Sequence, residues 1–163
     1  MLAARYGRAL RQVLDHIDRT QMPAIHQAAR WIADALAGGG ALHLFDTGHM
    51  LNHEAVGRAG GLMAINPLRV VVEVNHRMHP RTRSLPERRT FMDEITGLAD
   101  FVIARSQMYP GDVLLLGSVS GKNPLPVDLA LKARAAGIKV VAITSVSYSR
   151  TVQPQHSSGK RLY

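Results

Sequence analysis

The first part of the chain repeats its apolar positions at three- and four-residue steps. Leu2, Tyr6, Leu10, Val13, Leu14 and Ile17 fall on one stripe, which predicts an amphipathic helix over residues 2–19. A second helix is expected to follow, with Thr20 as its cap and Pro23 in its first turn, where a missing N–H costs little. Ile25, Ala28, Ala29, Ile32 and Leu36 form its apolar face, and Gly38-Gly39-Gly40 ends it.

From residue 41 the pattern shortens into apolar runs separated by helical spacing. ALHLFD, residues 41–46, precedes Thr47-Gly48 and reads as a buried strand. Residues 51–60 read as a helix closing on Gly60-Gly61, and RVVVEV, residues 69–74, as a β-branched strand. A helix is expected over 87–96. Residues 97–108 admit both readings, since Phe101-Val102-Ile103 looks like a strand, but Leu98, Phe101, Val102 and Arg105 return at helical steps, and a helix is expected. Pro110-Gly111-Asp112 is a turn and 113–117 a strand. Residues 125–136 form a helix with Leu125, Leu129, Leu131 and Ala135 inward, stopped by Gly137, and 138–144 form another strand.

Strands alternating with helices predict an α/β fold, a mostly parallel sheet with helices on both faces. One domain is expected over 1–163, with 1–38 a helical pair and 41–163 the α/β core. Ligands of such sheets bind beyond the carboxyl ends of the strands, where the strand order reverses. That rule gathers three polar loops at one edge: Thr47-Gly48-His49, Ser118 to Asn123, and Ser145 to Ser149.

Composition narrows the chemistry. The chain has 163 residues and no cysteine, which excludes disulfides, thiol nucleophiles and thiolate metal sites, and fits the cytoplasm. No apolar run is long enough for a membrane span, and the first twenty residues lack the continuous apolar segment of a signal peptide. The formal charge is +8, which favours anionic partners. Part of it is the arginine-rich loop 76–89, which has no interleaved aromatic residue; a solvated loop explains it better than a nucleic-acid surface, and a border to an anionic-ligand pocket is a third reading.

GSVSGKN, residues 117–123, stands between a strand and a helix and offers more than a turn needs. A helix N-terminus presents unpaired N–H groups and partial positive charge to a phosphate. Ser118 and Ser120 add hydroxyls, and Gly121 allows close backbone approach. Plain helix capping by Ser or Asn is the bland alternative. Neither the lysine-bearing P-loop nor the GxGxxG fingerprint is present, so no nucleotide cofactor is expected. His49 and His53 are four apart, but the order is not HExxH and no third ligand stands out, so no metal site is assigned.

The segments FDTGHMLNHEAVGRAGGLMAINP, PGDVLLLGSVSGKNPLPVDLALKARAAGIKVVAITS and HSSGKRLY together resemble the SIS (sugar isomerase) domain family, and within it a bacterial branch of phosphosugar-binding proteins. The resemblance implies a flavodoxin-like three-layer αβα sandwich preceded by the two N-terminal helices, with a sugar phosphate as ligand. It implies an aldose–ketose isomerase or related sugar-phosphate enzyme, or else a non-catalytic sensing module. By the same resemblance Ser118, Ser120, Gly121 and Asn123 match the phosphate loop. Thr47, Gly48 and His49 match the glycine loop after the first strand, and Thr144 and Ser145 the polar end of a later one. Glu54 falls where some members hold a catalytic glutamate; a surface pair with Arg58 is the competing reading. His156 or His49 is the candidate acid. The segment His156 to Lys160 is characteristic of the branch and carries no assigned role. A homodimer or higher oligomer is expected. Asp46 departs from the small residue common at that position, and Met50 stands where the branch commonly has a polar residue. Family members continue with a further strand and helix, so an end at Tyr163 reads as a shortened chain with an exposed sheet edge.

Overall fold

A computed structural model describes residues 1–48, 51–74, 95 and 97–163. His49, Met50, the arginine-rich loop and the helix expected over 87–96 lie outside the described residues. The described elements are α1 (Leu2–Ala37), β1 (Leu42–Asp46), α2 (Leu51–Ala55), β2 (Ile65–Pro67), α3 (Leu98–Arg105), β3 (Val113–Gly117), α4 (Pro124–Ala135), β4 (Lys139–Ile143) and α5 (Val146–Thr151).

The N-terminal helical pair is one helix of 36 residues, not two. Thr20 does not cap; its hydroxyl donates back to the His16 carbonyl at 2.8 Å. Pro23 sits inside the helix and forfeits one bond to the carbonyl four residues earlier. That carbonyl belongs to Arg19, which is exposed, so water can satisfy it. The helix ends where expected. Gly38 and Gly40 N–H groups donate to Asp34 and Ala35 carbonyls, and Gly39 takes φ 79°, a conformation that favours glycine.

The four described strands pair in parallel, in the order β2-β1-β3-β4. The strand expected at 69–74 is displaced to Ile65–Pro67. Pairing decides this: Leu42, His43 and Leu44 of β1 take Ile65, Asn66 and Pro67 as partners, and the β-branched run lies beyond that register. α2 spans 51–55 rather than 51–60, and Leu62 N–H folds back onto the Ala55 carbonyl. The helix expected over 97–108 is present as α3.

Each sheet face buries its own apolar cluster. On one face Phe45, Leu114 and Leu116 pack against Ala99 and Val102 of α3 and Leu125, Leu129 and Ala133 of α4. On the other, Leu42, Leu44, Ile65 and Val113 meet Ala35 of α1, with Trp31, Ile32, Leu51 and Ala55 alongside. This is the expected three-layer αβα sandwich. Burial of a leucine such as Leu44 or Leu114 is worth about 1.5–3 kcal/mol. Of the α4 residues expected inward, Leu125 and Leu129 are buried, whereas Leu131 is half-buried and Ala135 exposed; Val127 and Ala133 are buried as well. β4 is an edge of the described sheet, and its residues are half-buried or exposed.

Candidate functional site

The strand order places the site. β1 connects through α2 to β2 on one side, and β3 connects through α4 to β4 on the other, so the order reverses between β1 and β3. A crevice opens at such a reversal, beyond the carboxyl ends of the strands. Asp46 is the register partner of Gly117, and Gly117 of Ile143, so three strands end in one line. Their loops are tied together. Thr47 N–H donates to the Gly117 carbonyl at 3.1 Å, Ser118 N–H to Ile143 at 3.1 Å, and Ser145 N–H to Val119 at 3.0 Å.

The loop 118–123 keeps donors in reserve. Among the described residues, no protein acceptor takes the N–H groups of Ser120, Gly121, Lys122 or Asn123, and neither serine hydroxyl is bonded. Asn123 stands at the N-cap of α4, yet its side chain makes no capping bond, so capping does not account for it. The helix itself contributes less than the sequence suggested: Pro124 and Pro126 remove two of the N–H groups its first turn would present. An anion here meets mainly the loop N–H groups and the serine hydroxyls. Gly121 has φ +58°, and a Cβ on it would lie 2.9 Å from Thr144 Oγ1 and 3.1 Å from Leu162 Cβ. Only glycine fits that position without strain.

Thr144 and Ser145 act as braces. The Thr144 hydroxyl donates to the Val119 carbonyl at 3.1 Å, and the Ser145 hydroxyl caps α5 by accepting from Tyr148 N–H at 3.4 Å. Thr47 donates its hydroxyl to the Gly117 carbonyl at 3.4 Å, and Gly48 is exposed with φ 93°.

The C-terminal segment straps the same loop. Gln155 N–H donates to the Lys122 carbonyl at 3.0 Å and Leu162 N–H to the Gly121 carbonyl at 3.1 Å. Between them, His156 Nδ1 accepts from Ser158 N–H at 3.1 Å, which puts the proton of the neutral ring on Nε2. That nitrogen faces Asp128 Oδ1 of α4 at 3.7 Å. Nδ1 of His156 is therefore engaged, while Nε2 lies beyond hydrogen-bond distance of Asp128.

The three candidate catalytic residues are not brought together among the described residues. Glu54 is exposed and pairs with Arg58 at 2.6 Å, the surface pairing weighed from the sequence. His156 belongs to the strap, and His49 lies outside the described residues.

A cleft of about 400 Å³ opens at the carboxyl end of β1, bordered by Asp46, Thr47, Asn52, Leu68, Asn123 and Pro126 among others. Such a volume suits a small ligand. Asp46 and Asn52 were not singled out as site residues. The available signal was a charged residue closing an otherwise apolar strand. A larger hollow of about 900 Å³ beside β4, near Trp31 and Tyr163, touches none of the three loops. Among the described residues no group of three or more His, Asp or Glu is placed to hold a metal ion.

The sequence model described as the SIS domain matches residues 5–145. The chain belongs to the SIS domain family. This SIS chain is 32% identical over 160 residues to a UPF0309 protein of Halalkalibacterium halodurans, covering 97% of the chain and 63% of the relative. It is 36% identical over 163 residues to a UPF0309 protein of Streptomyces avermitilis, covering 99% of the chain and 63% of the relative. The chain thus spans less than two thirds of the length of these relatives. Solved structures of like fold include a phosphoheptose isomerase from Neisseria gonorrhoeae, at TM-score 0.58 and 17% identity over 95% of this chain and 80% of that one. A phosphoheptose isomerase from Francisella tularensis follows, at TM-score 0.55 and 17% identity over 98% and 81%. Among the described residues, no helix of the SIS chain is long and apolar enough to cross a membrane.

Proposed function

We propose that the chain binds a phosphorylated sugar in the crevice between β1 and β3, as a phosphosugar isomerase or related sugar-phosphate enzyme. The observation that supports this is the loop 118–123, which follows β3 at the switch point of the sheet and has N–H groups and hydroxyls without protein partners among the described residues. The phosphate would rest on Ser118, Ser120, Gly121 and Asn123, and the sugar would extend into the cleft. SIS membership supports the ligand class, as do the phosphoheptose isomerases of like fold. Aldose–ketose isomerisation moves a proton between adjacent carbons through an enediol. It needs a base, for which Glu54 is the candidate, and an acid that opens the ring, for which His49 and His156 are the candidates. The phosphate grip would supply the binding energy that positions the reacting carbons.

A non-catalytic phosphosugar-binding module is the second reading. The Glu54–Arg58 pair and the engagement of His156 Nδ1 within the C-terminal strap favour it.

Thermal shift against pentose, hexose, heptose and amino-sugar phosphates tests the binding, with free phosphate and unphosphorylated sugars as controls. A sugar-specific rise that Ser120→Ala abolishes is expected. No rise with any sugar phosphate on folded protein overturns the reading. Glu54→Gln then separates enzyme from binder. The isomerase reading expects binding retained and turnover lost; unchanged turnover removes Glu54 from the mechanism.

A further inference from the structure

Of the phosphate loop, Asn123 borders the cleft. The cleft also carries acceptors that none of the described residues satisfies. Among the described residues, Asp46 Oδ1, Asp46 Oδ2 and Asn52 Oδ1 are buried without a hydrogen-bond partner, and both residues border the cleft. An unpaired buried carboxylate is costly, and buried polar groups in native proteins are nearly always satisfied. The exceptions point to a missing partner.

The fold holds this carboxylate deliberately close to the strands. Asp46 is the last residue of β1, opposite Gly117, and a Cβ on Gly117 would lie 2.9 Å from Asp46 Oδ1 and would clash with Leu51 Cδ1. The absence of a side chain at 117 is what lets the carboxylate and Leu51 occupy that space. Ser118, the first residue of the phosphate loop, follows immediately. Neighbouring strands lie about 4.8 Å apart. A phosphate on the loop and a group on Asp46 are therefore within the reach of one small sugar.

We infer that Asp46, with Asn52 beside it, receives hydrogen-bond donors on the carbon chain of the sugar phosphate, and that it excludes ligands carrying a second anionic group there. This rests on the phosphosugar reading. The ligand class is a sugar monophosphate that offers hydroxyls, or an ammonium, to the carboxylate. Phosphorylated sugar acids and sugar bisphosphates would set a second negative charge against Asp46, and repulsion of this kind is a common source of specificity. Arg69 also borders the cleft, but it is exposed and does not partner the buried oxygens. A metal ion would demand more oxygen ligands than these acceptors provide, and no acidic or histidine cluster of three is present among the described residues.

Titration calorimetry on the wild type, Asp46→Asn, Asp46→Ala and Ser120→Ala tests this. The probes are hexose 6-phosphates and pentose 5-phosphates, the corresponding phosphorylated aldonic acids, amino-sugar phosphates, inorganic phosphate and magnesium chloride alone. The wild type should prefer a neutral or amino-sugar monophosphate to its aldonic counterpart by about tenfold or more, the effect of losing hydrogen bonds to a charged group. Asp46→Ala should bring that ratio close to one while inorganic phosphate binds as before. A ratio unchanged in Asp46→Ala overturns the inference and leaves the phosphosugar reading standing. Loss of all sugar-phosphate and phosphate binding in the wild type overturns both. A response to magnesium alone that Asp46→Asn abolishes overturns it in favour of a cation. A ligand-free readout accompanies these: Asp46→Asn should melt at a higher temperature than the wild type, because it removes an unpartnered buried charge. A lower melting temperature would mean that the carboxylate serves the fold, and would overturn the inference.

Discussion

His43 Nε2 lies 3.0 Å from Asp112 Oδ2, and the pair is almost wholly buried at the amino ends of β1 and β3. Asp112 also accepts the N–H groups of Ala41 and Tyr109, both at 2.8 Å. Burial alone would raise its pKa. The bonds from Tyr109, His43 and Ala41 outweigh that and lower it. Because the folded-state pKa lies below the unfolded one, this stabilisation is present above about pH 4 and fades as pH falls through the folded value. Asp112→Ala should cost about 3 kcal/mol at neutral pH, since it strands two backbone donors and a histidine. Urea denaturation from pH 7 to pH 3 should show a steeper acid loss in the wild type than in the variant.

Gly121→Ala should damage the loop in two ways. It places a side chain at φ +58° and pushes it against Thr144 Oγ1 and Leu162. A loss of about 1–3 kcal/mol is expected, together with weaker phosphate binding by calorimetry. A variant as stable and as tight as wild type would show that the loop does not need this conformation.

His156→Ala should loosen the strap over the phosphate loop. The amide hydrogens of Gln155 and Leu162, which donate to Lys122 and Gly121, should then exchange about tenfold faster. Asp128→Ala should act in the same direction. Unchanged protection at both amides would mean that the backbone bonds hold the strap by themselves.

The apolar stripe of α1 outruns the sheet. Trp31, Ile32 and Ala35 pack on it, whereas Leu10, Val13 and Leu14 are about half exposed and Leu2 and Tyr6 more so. The homodimer or higher oligomer expected from the family resemblance would cover that stripe with a second copy. Sedimentation should give a dimer or larger species for the wild type and a monomer for Leu10→Glu combined with Val13→Glu, with helix content retained by circular dichroism. A monomeric wild type at working concentration counts against the assembly.

The elements that were legible in the sequence are those whose signals are local and agree. β1, β3 and β4 are apolar runs closed by turn residues, and α4 has Pro at its start and Gly after its end. Thr20 and Pro23 misled because a cap and a first-turn proline look the same whether a helix starts there or passes through. RVVVEV misled because β propensity does not decide which residues meet β1; register does. At the site, Ser118, Ser120 and Gly121 were visible as unusual chemistry for a turn. The bracing roles of Thr144 and Ser145 were not, because a hydroxyl looks the same whether it serves a ligand or a carbonyl. Asp46 was legible only as a departure, since lacking a partner is a property of the folded neighbourhood rather than of the residue.

A parallel sheet has two unlike ends, and this chain divides its labour between them. The amino end holds His43 and Asp112 in a closed, satisfied network. The carboxyl end holds Asp46, Asn52 and the loop 118–123, with bonds left open. Substitutions that retune the ligand can accumulate at one end without eroding the anchor at the other. Directed evolution at carboxyl-end positions other than the braced Gly121, Thr144 and Ser145 should therefore change ligand preference while leaving the acid-sensitive His43–Asp112 contribution to stability unchanged.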